Sequence, residues 1–140
     1  MIILDTNVIS EFMRDEPEPA VIAWLDGQPR ASVWTTSINV YEIRAGLLAM
    51  PAGKRRTSRM LTFEYLLKES IQGRISVFDL EAAFQAAALQ ASRSARGRPV
   101  DSRDTMIAGI VLANRATLAT RNVNHFADIA GSVVNPWEAR

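Results

Sequence analysis

Met1-Ile2-Ile3-Leu4-Asp5-Thr6-Asn7-Val8-Ile9-Ser10 begins as a strand and ends as a helix, with a carboxylate at the junction. A run of large apolar residues this short reads as a strand covered on both faces, the pattern of a parallel sheet. Beyond Asp5 the apolar spacing turns helical. Asp5 therefore stands at the carboxyl edge of the strand, where open α/β sheets place their ligand crevice. An ionisable group there adds nothing to the core and needs a partner.

The rest of the chain alternates in the same sense. Residues 7–14 read as a short helix, Asp15-Glu16-Pro17-Glu18-Pro19 as a turn, and 20–27 as a further helix. Residues 31–36 are rich in β-branched and aromatic side chains and form the expected second strand, with Ser37 as the N-cap of a helix through Met50. Pro51-Ala52-Gly53 interrupts the chain before a more basic helix over 54–69. Residues 75–78 read as a third strand and 80–96 as an alanine-rich helix that Gly97-Arg98-Pro99 ends. A helix over 101–115, a fourth strand at 117–120 and a last one at 132–135 complete the pattern. Alternating strands and helices define an α/β fold with a central, mainly parallel sheet flanked by helices. No repeat or linker divides residues 1–140, so a single domain is expected.

The chain has no cysteine, which excludes disulfides and thiolate metal sites and suits a reducing compartment. Asp5 interrupts the apolar N-terminus before a signal peptide's core can form, and no stretch has the length to span a bilayer; the expectation is a cytoplasmic protein without a membrane segment. The net charge of +1 is unevenly spread. Residues 1–26 hold six acids against the single base Arg14, whereas Lys54, Arg55, Arg56 and Arg59 come together, and Arg93, Arg96, Arg98 and Arg103 flank Asp101. Such clusters are either a phosphate-backbone footprint or a solvated helix surface, and charge alone does not separate the two.

Two further acids sit among apolar residues. In the helix after Ser37, the positions Ile38, Tyr41, Ala45 and Ala49 suggest one buried stripe, and Glu42 falls on it. Glu42 is either an ion pair, with Arg44 or Arg115 as partner, or a site residue. Asp104 lies one turn before Ile107 and Ala108 on a face continued by Val111 and Leu112, while Asp101 reads mainly as the helix cap. Asn122 follows the fourth strand, as an oxygen ligand or phosphate donor on one reading and an Asx turn on the other. In a right-handed α/β arrangement Asp5, Glu42, Asp104 and Asn122 can converge on one sheet edge. Two carboxylates about 5 Å apart repel by roughly 3 kcal/mol at an effective dielectric near 20, so three together require protonation or a cation. With no cysteine and one histidine, hard oxygen donors favour Mg²⁺ or Mn²⁺ over zinc.

Four segments in this order, Ile3-Leu4-Asp5-Thr6-Asn7-Val8-Ile9-Ser10, Tyr41-Glu42-Ile43 with Gly46, Asp104-Thr105-Met106-Ile107-Ala108, and Leu118-Ala119-Thr120-Arg121-Asn122 with Phe126, resemble a PIN domain. Along essentially its whole length the chain is similar to the VapC-type ribonuclease toxins of type II toxin–antitoxin pairs, in the FitB-like subgroup. The resemblance implies Asp5, Glu42 and Asp104 as acidic metal-binding positions and Asn122 at the fourth position, often an aspartate in the family. It implies a divalent ion that polarises an RNA phosphate and lowers the pKa of water, and in-line cleavage leaving a 5′-phosphate and a 3′-hydroxyl. Thr6 and Thr120 are then groups that hold the carboxylates in place. Arg121, with Lys54, Arg55, Arg56 and Arg59, is a candidate for guiding the RNA backbone. The resemblance further implies a homodimer, a cognate VapB-like antitoxin, and operator DNA bound only through that antitoxin.

His125 reads as a structural or surface residue rather than a general base, and Trp24, Trp34 and Trp137 as core or interface. Two other functions compete. A non-catalytic PIN-like interaction module would not need clustered acids. A haloacid-dehalogenase-like phosphohydrolase would need a general acid two residues after Asp5, where Asn7 stands.

Overall fold

In the computed structural model, which describes residues 1–98 and 101–138, the N-terminal strand becomes the middle of the sheet. β1 (Ile2–Leu4) pairs in parallel with β2 (Val33–Thr36) on one side and with β4 (Thr117–Ala119) on the other. β3 (Ile75–Ser76) extends the sheet beyond β2, and β5 (Val133–Val134) beyond β4. Among the described residues this is a five-stranded parallel sheet in the order β3-β2-β1-β4-β5. The chain builds one half outward from β1, then returns to β1's other side. The carboxyl ends of β1 and β4 thus meet at the topological switch point, where α/β sheets open a crevice.

Strand alternation sends neighbouring residues of β1 to opposite faces. Leu4 packs with Val8, Ile9, Val21, Ile43 and Phe63, under α1 (Thr6–Phe12), α2 (Pro19–Asp26), α3 (Ser37–Ala49) and α4 (Lys54–Tyr65). Ile3 packs with Ala82, Ile107, Ile110, Leu118 and Phe126, under α5 (Leu80–Ala95) and α6 (Ser102–Ala113). Helices on both faces are the reason β1 carries an unbroken apolar run.

Several expectations are corrected in detail. Thr36, not Ser37, caps α3: the strand ends at Thr36 as expected, and that residue's hydroxyl already reaches the first turn, accepting from the Asn39 backbone N–H at 3.1 Å. The buried stripe of α3 is Asn39, Ile43 and Leu47, while Tyr41 is 60% exposed and Ala45 and Ala49 face solvent. Large apolar Ile43 and Leu47 contribute more burial than two alanines, so the helix is rotated from the expected face and Glu42 lies at its margin. The second strand begins only at Val33, after a 3₁₀ turn over Arg30–Ser32. The basic helix ends as a single wide π turn, Leu66–Ser70, closed by Ile71 N–H to Leu66 O at 2.9 Å. Asp101 caps α6 through the Arg103 N–H at 2.8 Å, as expected. Pro99, one of the residues expected to end the preceding helix, lies outside the described residues.

Arg93 leaves the proposed basic surface altogether. It is 2% exposed and makes a two-pronged pair with Asp128, at 2.7 and 2.9 Å, while also donating to the Thr105 hydroxyl and the His125 carbonyl. Joining α5, α6 and the Val123–Ser132 segment repays the burial of its charge. Trp24, Trp34 and Trp137 are part-buried against the two cores, as read.

Candidate active site

Asp5 is the centre of a hydrogen-bond lattice spun from three chain segments. Its side chain is the N-cap of α1, where Oδ1 accepts from the Thr6 N–H at 2.8 Å and from Asn39 Nδ2 at 2.9 Å. Oδ2 accepts from the Thr120 hydroxyl at 2.7 Å. Thr120 itself accepts from the Asn122 N–H at 3.0 Å and from Asn7 Nδ2 at 3.3 Å, so its single proton is committed to Asp5. Burial pushes the Asp5 carboxyl above its ordinary range and the charge of Asp104 adds to that, against the opposing hydrogen bonds.

Glu42 reaches the same crevice from α3. Its Oε1 accepts from the Thr6 hydroxyl at 3.2 Å, and that hydroxyl accepts in turn from Asn39 at 3.0 Å. Burial also raises the Glu42 carboxyl, reinforced by Asp5 and Asp104. Its cationic neighbour is neither Arg44 nor Arg115. Arg44 pairs with Glu64 across α3 and α4, whereas Arg103, next to Asp104, comes within 3.8 Å of Glu42. The rotation of α3 turns Glu42 toward the start of α6 and accounts for the change of partner.

Asp104, in the first turn of α6, sits 3.0 Å from His125 Nδ1. An ionised carboxylate only accepts, so Nδ1 carries the proton in that contact. Asn122 joins the site through its backbone N–H; its exposed side chain makes no capping bond, so the Asx turn does not form. Asn7 donates to Thr120 and accepts from the Arg121 N–H at 3.1 Å, and an amide there is too weak an acid to protonate a leaving group.

Sequence reasoning missed Asn39. It is wholly buried, and its amide orientation is fixed because Oδ1 accepts from the Thr36 hydroxyl, leaving both N–H donors for Asp5 and Thr6. The signal was present as an amide on the buried i, i+4, i+8 stripe with Ile43 and Leu47, where a polar group must have partners. Arg103 and His125 were likewise not read as neighbours of the acids.

The carboxylates come from three elements, are all oxygen donors, and Asp5 has no cationic side chain within 4 Å among the described residues. No three His, Asp or Glu side chains among the described residues are gathered closely enough to cage an ion directly. Each carboxylate oxygen has two lone pairs, so the lattice leaves acceptor positions open. The donor set therefore fits a hard divalent cation whose shell is completed by water, as Mg²⁺ prefers, rather than a closed three-carboxylate cage.

Beside Glu42 a groove of about 350 Å³ is lined by Thr6, Met13, Gly46, Met50, Arg55 and Arg59, among others. Arg59 is steadied by the Met13 carbonyl at 2.9 Å and Arg56 by that of Met50, while Lys54 and Arg55 are exposed. Arg121 lies over the Trp137 ring, 4.9 Å from its centre.

A parallel sheet with its acids gathered at the switch point is the arrangement of a PIN domain. The PIN domain model matches residues 2–132, and the chain belongs to that family, in its VapC-type toxin branch. It is 41% identical over 138 residues to the VapC ribonuclease Y4jK of Sinorhizobium fredii, with 99% of each chain covered. It is 35% identical to toxin FitB of Neisseria gonorrhoeae, covering 98% of this chain and 99% of that one. Among solved structures it resembles FitAB bound to an IR36 DNA fragment, at 33% identity and a TM-score of 0.88, covering 100% of this chain and 98% of the other.

Proposed function

We propose that this protein is a cytoplasmic ribonuclease toxin that hydrolyses RNA phosphodiester bonds with a divalent cation, Mg²⁺ or Mn²⁺. The observation that carries the reading is the meeting of Asp5, Glu42 and Asp104 at the switch point, where burial and mutual charge hold Asp5 and Glu42 above their ordinary carboxyl range. Such clustered, only partly relieved charge is a cost to folding, and a site for a cation is the reading that gives it a use. Asp5 and Asp104 are the ligands, with Glu42 acting through water or as an added ligand. When bound, the ion lowers the pKa of water and offsets charge building on the phosphate.

The protein's own groups prepare that chemistry. Thr120, Thr6 and Asn39 fix both oxygens of Asp5, so the carboxylate needs no reorganisation when it takes up charge. Thr6 does the same for Glu42. Asn122 supports Thr120 through its backbone, and Arg121 with Arg55 and Arg59 draws the RNA phosphates toward the crevice.

The partner is an antitoxin of the VapB or FitA kind, with operator DNA contacted through it. An apolar groove of about 540 Å³ between α1, α2 and the π turn, lined by Ile9, Phe12, Ile22, Leu25, Leu66 and Ile71, suits the apolar face of an amphipathic helix. The exposed Val77, Leu80 and Phe84, at the start of α5, supply a separate face for a homodimer. Cleavage of RNA with and without Mg²⁺ or Mn²⁺, with Asp5→Asn as the inactive control, tests the reading. Metal-independent cleavage, or none by the antitoxin-free protein, refutes it and favours a non-catalytic interaction module.

A further inference from the structure

The groove beside Glu42 contains a glycine that packing does not explain. Gly46 stands inside α3, one turn beyond Glu42, exposed and on the groove wall. Glycine in a helix interior weakens the helix relative to alanine. A Cβ built at Gly46 meets nothing within 4 Å, so no neighbouring part of the protein requires its absence. Whatever needs bare backbone at this point approaches from outside.

The groove's shape says what that is. α1, α3 and α4 line it, Thr6 touching Glu42 at one end and Met13 holding Arg59 at the other. Glu42 thus lies at one end and the cations Arg55 and Arg59 at the other, with Gly46 between. Arg59 is held in place by one donor and keeps the rest for a ligand. Met50 and the edges of the largely buried Ile43 and Leu47 add apolar lining, suited to the face of a base or ribose. A chain of successive phosphates joined by flat apolar units matches this order of features.

We propose that a single RNA strand lies in this groove directly on the α3 backbone at Gly46, with a phosphate beyond the cleavage point held by Arg59 and Arg55. The assignment rests on the ribonuclease reading and adds the path of the substrate to it. Gly46 is the place where any side chain would lift the strand away from both ends at once.

The test compares the wild type with Gly46→Ala, Gly46→Leu and Arg59→Gln on a labelled single-stranded RNA. Binding is measured by anisotropy in EDTA, cleavage with Mn²⁺, and folding by thermal melting. Gly46→Ala is expected to melt at or above the wild-type midpoint, yet raise KM several-fold with kcat within about twofold. Gly46→Leu is expected to raise KM more than tenfold while remaining folded. Arg59→Gln is expected to reduce the salt slope of binding by about 0.7, which the glycine variants leave unchanged. A folded Gly46→Leu with wild-type KM overturns the proposal, including the case in which that variant loses only antitoxin binding. A wild type that binds no RNA and cleaves none overturns the ribonuclease reading itself, and this proposal falls with it.

Discussion

Gly109→Ala should destabilise this protein and misplace its active site, although alanine is the better helix former. Gly109 is buried in α6 against α5, and a Cβ there would sit 2.5 Å from the Ala82 carbonyl oxygen, 2.8 Å from the Ala86 Cβ and 3.0 Å from the Ala86 nitrogen. Two of those atoms are helix backbone and cannot rotate aside. Restoring ordinary contact distances requires α5 and α6 to part by most of an ångström. Overpacking of this kind costs about 1–3 kcal/mol, against a propensity gain of about 1 kcal/mol. Because the obstacle is backbone, the cost falls in the upper part of that range, about 2–3 kcal/mol, for a net of roughly 1–2 kcal/mol and a fall in midpoint of about 3–10 °C for a chain of this size. Asp104 rides on the same helix, so the separation also moves it relative to Asp5, and an error near 1 Å at a reacting centre can cost up to about a hundredfold in rate. The assay is a melt in EDTA paired with RNA cleavage well below the midpoint, with Gly46→Ala, the same substitution at a sterically open position, as the comparison for the melt alone. If Gly109→Ala melts higher, as propensity alone dictates, or cleaves at the wild-type rate, the close-packing argument is wrong.

Asp128→Asn leaves the Arg93 charge buried without its counter-ion and should cost about 3 kcal/mol in a denaturant titration at pH 7. The Arg93 guanidinium holds the Asp128 carboxyl below its ordinary value, so this stability is present above the usual carboxyl pKa and disappears as pH falls through the lower folded value; the mutant's melting should lack that acid-limb loss. Asp5 and Glu42 behave with the opposite sign. Their carboxyls are raised, so the metal-free protein should lose stability as pH rises from the ordinary carboxyl range through the higher folded values, and Glu42→Gln should flatten that decline in EDTA melts while abolishing most cleavage. A Glu42→Gln protein less stable than wild type at neutral pH would instead mark a structural ion pair with Arg103. Mg²⁺ or Mn²⁺ at about a hundred times its Kd should stabilise the wild type by about 2.7 kcal/mol, and the double variant Asp5→Asn with Asp104→Asn should lose that increment in calorimetry.

The order of elements and the acids at their ends were legible because both are local. A run such as Ile2-Ile3-Leu4 reads as a covered strand, and an acid placed at its end, or among the apolar residues of a helix, needs a partner. The parallel sheet and the gathering of Asp5, Glu42 and Asp104 follow from those costs. The facing of α3 was not legible: Ile38, Tyr41, Ala45 and Ala49 make as regular a stripe as Asn39, Ile43 and Leu47. Which one is buried depends on the volumes that α1, α4 and the sheet leave for it. The partners of the charged groups were hidden for the same reason. Arg93 and Arg103 look alike in a basic stretch, yet one closes on Asp128 and Thr105 in the interior and the other stays at the rim beside Glu42. Sequence alone determined which residues carry an electrostatic cost; only the tertiary structure decided which neighbour relieves it, because that choice is made by contacts between segments far apart along the chain.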